Sequence, residues 1–486
     1  MPGSPDPRPV HLVLGDQLWA RPPAEAAGRR LLMVEDPGLA TRRAYHARKL
    51  VLVWSAMRHY ADERRAEGWD IDYRIGESLD TVLAEFADIT AIRPREAGIR
   101  PLLARHGVVL VDDPGWWTSP EDFGTWLARH PAPRMENYWR DLRRRTGLLM
   151  DGKQPVGGRW NYDDENRKPF PKNHVALPKP SFAPDATTRA VMDHVRTLPG
   201  LIGTVDGFDL PTTRTDALAL LADFVAHRLP WFGPYEDAMS STDPIGYHSL
   251  LSIPLNLSLI SPQECVDAAI AAWRAGTAPI ASVEAFVRQI AGWREYLFHL
   301  WEQFPGDWER TNALEQERPL PAFFWTGDTS MRCLSIALRR VLETGYGHHI
   351  ERLMVIGNFA LMAGVRPQEV NAWFHQCYVD AYEWVVTPNV VGMSQYADGG
   401  WVARKPYVAS GAYIDRMSDH CKGCAHDPKT DCPFTVLYWS FLIDREHDPR
   451  LREPLMRNLF GLARKDADER ARWIAARARL LPTWNP

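Results

Sequence analysis

The sequence predicts two domains of different class: an α/β domain with a parallel sheet over residues 1–133 and a large all-α domain over residues 212–486. In the first domain, short apolar runs alternate with longer amphipathic stretches, which is typical of a parallel sheet covered by helices. From Asp216 onward nearly every segment has helical periodicity, and proline and glycine separate the segments. Residues 134–211, rich in proline and arginine, are predicted to connect the two domains.

The strands of the α/β domain are predicted from short apolar runs. Residues 10–14 indicate a buried strand that ends at Gly15-Asp16-Gln17. Because parallel sheets bind ligands at the carboxyl ends of their strands, this tripeptide is a candidate ligand edge. Further strands are predicted at residues 31–35, 70–75 and 108–111, and a long helix at residues 41–67. No glycine-rich dinucleotide fingerprint is present, so a nicotinamide cofactor is not expected.

Composition and charge exclude several classes of protein. The formal net charge is −4 over 486 residues, so any surface for nucleic acid must be local. The N-terminus lacks the apolar core of a signal peptide, and no apolar run reaches the roughly 18 residues of a membrane span. We therefore expect a soluble, cytoplasmic protein with no membrane partner. Its 20 tryptophans suit core packing, but tryptophan also relays electrons and stacks on bases.

A basic cluster in the predicted connection is a candidate nucleic-acid contact. It combines the segment Arg159-Trp160-Asn161-Tyr162 with Arg140, Arg143, Arg144 and Arg145. Arginines interleaved with aromatic residues can contact phosphates and stack on bases. The pattern equally fits a solvated basic linker paired with the acidic residues 163–165.

The cysteines indicate a metal site. Half of the six cysteines fall within twelve residues, at Cys421, Cys424 and Cys432. Two thiolates separated by two residues in a glycine-containing turn can bind one metal, and the third can join them. This spacing favours a metal over reduced core cysteines or a disulfide, but it does not distinguish zinc from an iron–sulfur cluster. The candidates for a fourth ligand are Cys265, Cys333, Cys377, His420 and His426.

Several blocks of sequence, taken in order, carry a resemblance to a known family. They are Leu14-Gly15-Asp16-Gln17-Leu18, Ser55-Ala56-Met57-Arg58-His59, Phe232-Gly233-Pro234-Tyr235-Glu236-Asp237-Ala238, His248-Ser249-Leu250-Leu251-Ser252, Gly292-Trp293-Arg294-Glu295-Tyr296, Trp325-Thr326-Gly327-Asp328-Thr329 and Thr344-Gly345-Tyr346-Gly347-His348-His349-Ile350-Glu351-Arg352-Leu353-Met354. Together with the cysteines they resemble the photolyase/cryptochrome family, and specifically its bacterial iron–sulfur branch, the prokaryotic (6-4) photolyases. The resemblance spans nearly the whole chain and depends on no single motif.

The resemblance implies a four-iron four-sulfur cluster held by Cys333, Cys421, Cys424 and Cys432. In this branch the fourth ligand lies far upstream of the other three, after the Trp-x-Gly-x-Thr block, where this chain has Cys333. Cys265 and Cys377 would then be ordinary core thiols. Without the resemblance, Cys377 is an equal candidate.

The resemblance also implies FAD, held in a U-shape by the helical domain. The matching positions are Tyr235, Ser249, Leu250, Leu251, Ser252, Arg294, Arg352, Asp380 and Asn389. Serine hydroxyls and helix N-termini can satisfy a pyrophosphate, and the arginines can pair with flavin or phosphate oxygens. Val386 departs from the family, whose members present a polar side chain to the reactive ring nitrogen at this position; Asn389 could compensate.

His348 and His349 are the predicted catalytic pair. Repair of a (6-4) photoproduct requires an electron from excited reduced flavin and a proton for the lesion, and histidine suits proton donation because its ordinary pKa is near neutrality. Related cyclobutane-dimer photolyases usually carry Asn in place of His349, so the second histidine favours the (6-4) lesion. Trp373 and Trp325 stand at the electron-transfer positions of the branch, with core packing as the alternative.

The function that the resemblance implies is light-dependent repair of (6-4) photoproducts in UV-damaged DNA by a monomeric enzyme. One alternative is a cryptochrome-like blue-light photoreceptor with weak or no repair, which Val386 favours. Another is a nucleic-acid-binding protein whose cluster is purely structural. The branch typically binds a ribityllumazine antenna in the α/β domain, but Leu39 and Arg42 stand where related sequences carry Glu and Tyr, which weakens that assignment.

Overall fold

The N-terminal part of the chain forms a five-stranded parallel sheet. In the computed structural model, which describes residues 8–484, its strands lie in the order β3-β2-β1-β4-β5. The strands are β1 (Val10–Leu12), β2 (Arg30–Glu35), β3 (Ile71–Ile75), β4 (Ile89–Ile92) and β5 (Val109–Val111). The helices of this part are α1 (Pro37–Thr41), α2 (Ala47–Ala66), α3 (Leu79–Leu83), α4 (Arg100–Arg105) and α5 (Pro120–Arg129). Every pairing is parallel, which confirms the predicted class of this domain.

Two features of this domain differ from the prediction. Strand β4 was missed, because its four residues form too short a run to be distinguished from part of a neighbouring helix. The helix predicted at residues 41–67 begins later than expected, because α1 ends at Thr41 and α2 begins only at Ala47. His46 caps α2, and its Nδ1 accepts a hydrogen bond from the backbone N–H of Arg48 at 3.2 Å.

The predicted connection contains two helices. Its elements are α6 (Met135–Thr146), the short hairpin β6 (Met150–Asp151) and β7 (Gln154–Pro155), and α7 (Ala186–Arg196). Tyr138, Trp139 and Leu142 on one side of α6 are buried in the core at helical spacing. The domain boundaries themselves stay a prediction.

The structure divides the basic cluster of the connection. Arg143 is fully buried and donates to the backbone carbonyls of Leu148, Leu149 and Trp160, so its role is structural. Arg140 and Arg144 are exposed and lie 5.6 and 4.9 Å from the centre of the Trp160 ring. Only these two remain well placed for phosphates around that tryptophan.

The rest of the chain is helical, as predicted. Its α-helices are α8 (Arg214–Asp223), α9 (Leu229–Tyr235), α10 (Ser252–Asn256), α11 (Pro262–Arg274), α12 (Ile280–Val287), α13 (Glu295–Glu302), α14 (Arg332–Thr344), α15 (Asn358–Ala363), α16 (Pro367–Cys377), α17 (Glu383–Thr387), α18 (Gly411–Met417), α19 (Pro433–Arg445), α20 (Met456–Leu462) and α21 (Ala467–Leu480). Within residues 8–484, π-helical segments occur at Phe224–Arg228, Arg288–Arg294, Glu351–Gly357 and Pro388–Ser394. The last three contain the candidate residues Arg294, Arg352 and Asn389, and π-helical turns are frequent at functional sites. No helix in the described range is long and apolar enough to span a membrane.

One hydrophobic core extends from the sheet domain into the helical domain. Met33 and Met57 from the first domain belong to the same buried cluster as Leu251 and Phe286 from the second. Backbone hydrogen bonding joins them too, because the N–H of Leu18 donates to the carbonyl of Leu257 at 3.0 Å. The loop after β1 is therefore fixed directly against the segment after α10.

Buried histidines predict a loss of stability in acid. Burial lowers the pKa of His46 to about 4, against 6.5 for the unfolded chain. Between these values the unfolded state binds the proton and the folded state does not, so stability falls as the pH drops from 6.5 to 4. This histidine alone should cost about 3 kcal/mol over that range, at about 1.4 kcal/mol per pKa unit. Denaturant unfolding at pH 7 and pH 4.5 measures the effect.

Two variants test the source of this acid sensitivity. His46→Gln should reduce the pH dependence of the unfolding free energy, whereas His447→Gln should not, because His447 is 93 % exposed. Equal unfolding free energies at the two pH values in the unmodified protein would contradict the prediction.

Candidate functional site

An ion pair between Arg352 and Asp380 forms the centre of the candidate site. Two guanidinium nitrogens of Arg352 donate to the two carboxylate oxygens of Asp380, at 2.9 and 3.0 Å. Ser252 donates its hydroxyl to the same carboxylate at 2.7 Å, and Asn256 donates to the Asp380 backbone carbonyl at 2.8 Å. Burial alone would raise the pKa of Asp380, but the charge and hydrogen bonds of Arg352 outweigh it and hold that pKa below its ordinary value. The carboxylate is thus a permanent negative charge inside the helical domain.

The serine loop before α10 has an unusual backbone. Leu250 has φ 60°, a left-handed conformation that is rare for a bulky residue and often marks a functional constraint. Ser249 accepts from the N–H of Leu251 at 3.2 Å, so this hydroxyl supports the turn. Tyr235, at the end of α9, has its ring 5.6 Å from that of Tyr247, just before the loop. The structure therefore brings Ser252 to Asp380, while Ser249 and Tyr235 shape the neighbouring loop.

The predicted histidine pair follows the end of α14. The helix ends at Gly345, whose φ is 70° and where an added Cβ would lie 2.5 Å from Val379. His348 is buried, whereas His349 has protein close to its ring but keeps accessible surface. Burial, and next the neighbouring His248, lower the pKa of His349 to about 4. His349 is therefore neutral at pH 7 in the protein alone.

Arg294 contacts different residues from Arg352. It donates to the carbonyl of Gly115 at 2.9 Å, and its guanidinium lies 4.0 Å from the Trp116 ring and 5.1 Å from the Trp384 ring. Burial, and next the charge of Arg95, lower its pKa to about 9. No hydrogen bond or ion pair within residues 8–484 joins Arg294 to Asp380, and the assignment of Arg294 to the same cofactor as Arg352 stays a prediction.

Several buried donors have no hydrogen-bond partner among the described residues. They include Arg294 Nη2, His348 Nε2, the Tyr378 hydroxyl and Trp384 Nε1. Native interiors leave few such groups unpaired, so these donors are available to the polar groups of a bound ligand. Tyr378 contacts Arg352, and Trp384 contacts Arg294. A cofactor that combines a polar ring system with a pyrophosphate fits these donors and the Ser252–Asp380–Arg352 group.

An aromatic path leads from Arg352 toward the surface. The Arg352 guanidinium lies 4.2 Å from the centre of the Tyr378 ring, and this ring lies 5.9 Å from that of Trp373. Trp373 is fully buried and lies 5.4 Å from Phe324, and the next residue, Trp325, is 44 % exposed. Tyr378 was missed from the sequence, because no spacing rule links it to Arg352.

The helix after Asp380 carries Val386 and Asn389. Val386 is buried in the helical core. Asn389 donates its side-chain amide to the carbonyl of Val385 at 2.7 Å, one turn earlier in the same helix. Its amide nitrogen is thus already engaged, so compensation for Val386 would have to come from the Asn389 oxygen.

The four predicted cluster ligands lie near one another. Cys333 stands in the first turn of α14, and Cys432 caps the N-terminus of α19. Burial, and next Cys432, Cys421 and Cys424, raise the pKa of Cys333, whereas for Cys377 burial alone acts. Within residues 8–484, no group of His, Cys, Asp or Glu side chains is close enough to hold a single metal ion. The four-iron four-sulfur cluster itself stays a prediction.

A cavity lies at the carboxyl edge of the sheet, as expected for its topology. Its volume is about 180 Å³, and Gly15 and Asp16 line it together with Leu39 and Arg42. The sheet order places β1 between β2 and β4, the point at which parallel sheets open a ligand crevice. Burial raises the pKa of Asp16 to about 6, and one oxygen of its carboxyl group has no partner in the part of the chain that the structure describes.

Solved structures define the class of fold. A bacterial class III photolyase from Agrobacterium tumefaciens matches with TM-score 0.61 at 16 % identity, over 99 % of both chains. An archaeal photolyase from Sulfolobus tokodaii, solved with two FAD molecules, matches with TM-score 0.55 at 12 % identity, over 97 % of this chain and 100 % of the other. The fold is that of the photolyases.

Sequence relatives define the family. The family model described as deoxyribodipyrimidine photo-lyase-related protein matches residues 11–210. A (6-4) photolyase from Agrobacterium fabrum is 40 % identical over 459 residues, which cover 89 % of this chain and 90 % of the relative. The chain therefore belongs to the photolyase/cryptochrome family, in its bacterial (6-4) photolyase branch, and the resemblance found in the sequence is confirmed.

Proposed function

We propose that this chain is a DNA photolyase that repairs (6-4) photoproducts in UV-damaged DNA under blue light. The observation that carries the proposal is 40 % identity to a (6-4) photolyase over nearly the full length of both proteins. The site is compatible with this activity, because a histidine with accessible surface lies near the Arg352–Asp380 pair, and we take the space beside them as the cleft that receives the lesion. The protein acts as a cytoplasmic monomer on DNA and has no membrane partner.

The residues of the helical domain fit FAD, which supplies an electron to the lesion when it is reduced and excited by light. Asp380, held ionised by Arg352 and Ser252, can accept a hydrogen bond from an N–H of the bound ring system. Arg294 offers two unpartnered donors to an anionic oxygen. Leu250 and Leu251 close the loop next to Tyr235, and Asn389 follows the buried Val386 on the helix after Asp380.

Proton transfer to the lesion is the task of His349. At pH 7 its low pKa leaves it neutral in the protein alone. DNA phosphates bring negative charge to the cleft and raise the pKa of a nearby imidazole. Binding of the lesion therefore protonates His349 only in the complex with DNA, where the proton is needed. His348 assists His349 from the buried side of the pair. Extrusion of the damaged bases into the cleft gives His349 access to them.

The remaining cofactors are assigned from the resemblance to the same family. Cys333, Cys421, Cys424 and Cys432 hold a four-iron four-sulfur cluster, and Trp373 and Trp325 carry electrons between the flavin site and the surface. A ribityllumazine antenna is assigned to the cavity at the sheet edge. Leu39 and Arg42 both line that cavity, so the two departures from the branch alter the binding surface of the antenna itself.

Blue-light repair of an oligonucleotide with one (6-4) photoproduct tests the function directly. Reduced protein should restore the two thymines in light and not in the dark, as measured by chromatography, and should leave a cyclobutane dimer in a matched oligonucleotide unrepaired. Flavin that photoreduces without repair would instead indicate a cryptochrome-like photoreceptor. Protein that purifies without flavin absorbance but with iron would indicate a nucleic-acid-binding protein with a structural cluster.

A further inference from the structure

A segment of the connection lies against two parts of the helical domain that carry residues assigned to FAD. We call residues 167–175 the strap; they form neither helix nor strand. The N–H of Lys168 donates to the carbonyl of Pro234 at 3.0 Å. This bond places the start of the strap beside the end of α9, where Tyr235 stands.

Phe170 joins the strap to an aromatic cluster. Its ring centre lies 5.7 Å from that of Tyr235 and 5.9 Å from that of Tyr247. The ring also lies close to Gly246, where an added Cβ would be 2.8 Å from it. Gly246 has φ 58°, so both its backbone conformation and this close contact favour glycine. The strap thus packs on the loop that leads to Ser249 and α10.

His174 attaches the far end of the strap to the same loop. Its Nε2 donates to Oδ2 of Asp243 at 2.8 Å, and its ring stacks on that of Phe170 with 4.0 Å between the centres. Oδ1 of Asp243 accepts from the N–H groups of Ile245 and Gly246 at 3.2 and 2.8 Å. One buried carboxylate therefore connects the strap to the turn at the start of the loop.

The loop that the strap contacts has a backbone that needs support. The φ of 60° at Leu250 costs free energy for a bulky side chain and persists only where the surrounding structure imposes it. Two residues later, Ser252 donates its hydroxyl to Asp380. Asp380 is only 5 % exposed, so a cofactor that reaches it must displace protein on entering.

The strap can open without unfolding of the helical domain. Lys172, Asn173 and Val175 are exposed, and no helix or strand holds the segment. Such segments open locally at a lower free energy than the fold as a whole. Opening would release Tyr235 and the turn at Asp243 together, because the strap contacts both.

We propose that the strap closes the FAD site, and that Phe170 and His174 are positioning residues that hold it closed. The proposal rests on the FAD assignment in the proposed function and adds a device that retains the cofactor. Phe170 acts through Tyr235, and His174 acts through Asp243. By linkage, bound FAD favours the closed strap to the same extent that the closed strap favours FAD.

Variants at the two positions measure this retention. His174→Ala removes the donor to Asp243 and should release FAD about tenfold faster, the effect of losing one hydrogen bond to a charged group. His174→Gln keeps an N–H donor and should restore most of the retention. Phe170→Ala should also release FAD faster, whereas Phe170→Tyr keeps the ring and should retain it. Val175→Ala is the matched control, because Val175 lies on the same strap and is 78 % exposed.

FAD release is measured in the dark from the rise in free-FAD fluorescence after the loaded proteins are diluted. The unfolding temperature of each flavin-free protein is measured in parallel and should be the same for His174→Ala and Val175→Ala. Equal release rates in His174→Ala, Phe170→Ala and the unmodified protein would overturn the proposal. Faster release that His174→Gln does not reverse, together with a lower unfolding temperature, would also overturn it, because a general loss of stability would then explain the release.

Cleavage by trypsin after Lys172 reports opening of the strap without an activity assay. Bound FAD should slow this cleavage in the unmodified protein, and His174→Ala should speed it. Equal cleavage with and without bound FAD would overturn the proposal and leave the FAD assignment intact. If the protein binds no FAD, the FAD assignment fails and the retention role fails with it; faster cleavage in His174→Ala would then confirm only that His174 holds the strap closed.

Discussion

His349→Ala should lose repair of the (6-4) photoproduct by roughly 10²–10⁴-fold, the usual contribution of a general acid. The reason is geometric: His349 has accessible surface near the charges of Arg352 and Asp380, whereas His348 is buried. Its removal breaks no hydrogen bond that holds the Arg352–Asp380 pair. FAD and iron should therefore remain bound. Repair under saturating blue light, with flavin absorbance and iron content measured in parallel, checks the prediction.

Two controls make this result specific. His59→Ala, at the edge of the sheet domain, should repair at the normal rate. Lesion-DNA affinity of His349→Ala should change far less than its rate, because phosphate contacts dominate binding. Retained repair in His349→Ala would show that another group supplies the proton, and loss of flavin from the variant would assign His349 to cofactor binding instead.

The sequence was sufficient for the architecture because each domain repeats its own periodicity. The α/β class follows from strands such as residues 31–35 that alternate with helices. The ligand edge at Gly15, after β1, follows because parallel sheets bind ligands at the carboxyl ends of their strands. Strand β4 and helix α6 were missed for opposite reasons. The first is too short to show a period, and the second has its buried Tyr138 and Trp139 among many charged neighbours that hide its apolar face.

The site was predicted less completely, because its contacts join distant parts of the chain. No spacing rule brings Ser252 to Asp380, or Tyr378 beneath Arg352; these pairs exist only after the helical domain has folded. The same cause hid His248, which was recognised as part of a block but not as a neighbour of His348. Arg143 shows the converse error, since its charge suggested a phosphate contact but its guanidinium donates to three backbone carbonyls.

Cys333→Ala should lose most of its iron, whereas Cys377→Ala should retain it. Both thiols are buried, and from local sequence both were equal candidates for the fourth ligand. The fold separates them: the other three cysteines influence the pKa of Cys333, while burial alone affects that of Cys377, at the end of α16. A cluster that includes Cys333 ties the loop of residues 419–433 to α14. Its loss should therefore also lower the stability of the C-terminal helices, because metal binding is coupled to folding.

Iron content and visible absorbance of the purified variants measure cluster binding, and thermal unfolding measures how much the cluster stabilises the C-terminal helices. Cys377→Ala is the matched control, because it removes a buried thiol of the same size from the same domain and so carries the same packing cost. Full iron in Cys333→Ala, or iron loss in Cys377→Ala alone, would transfer the fourth ligand to another residue. If Cys333→Ala loses iron but unfolds at an unchanged temperature, the cluster does not contribute to the stability of the fold. The two hydrogen bonds that Ser241 donates to Asp419, at 2.6 and 2.8 Å, would then be sufficient to hold the start of the loop.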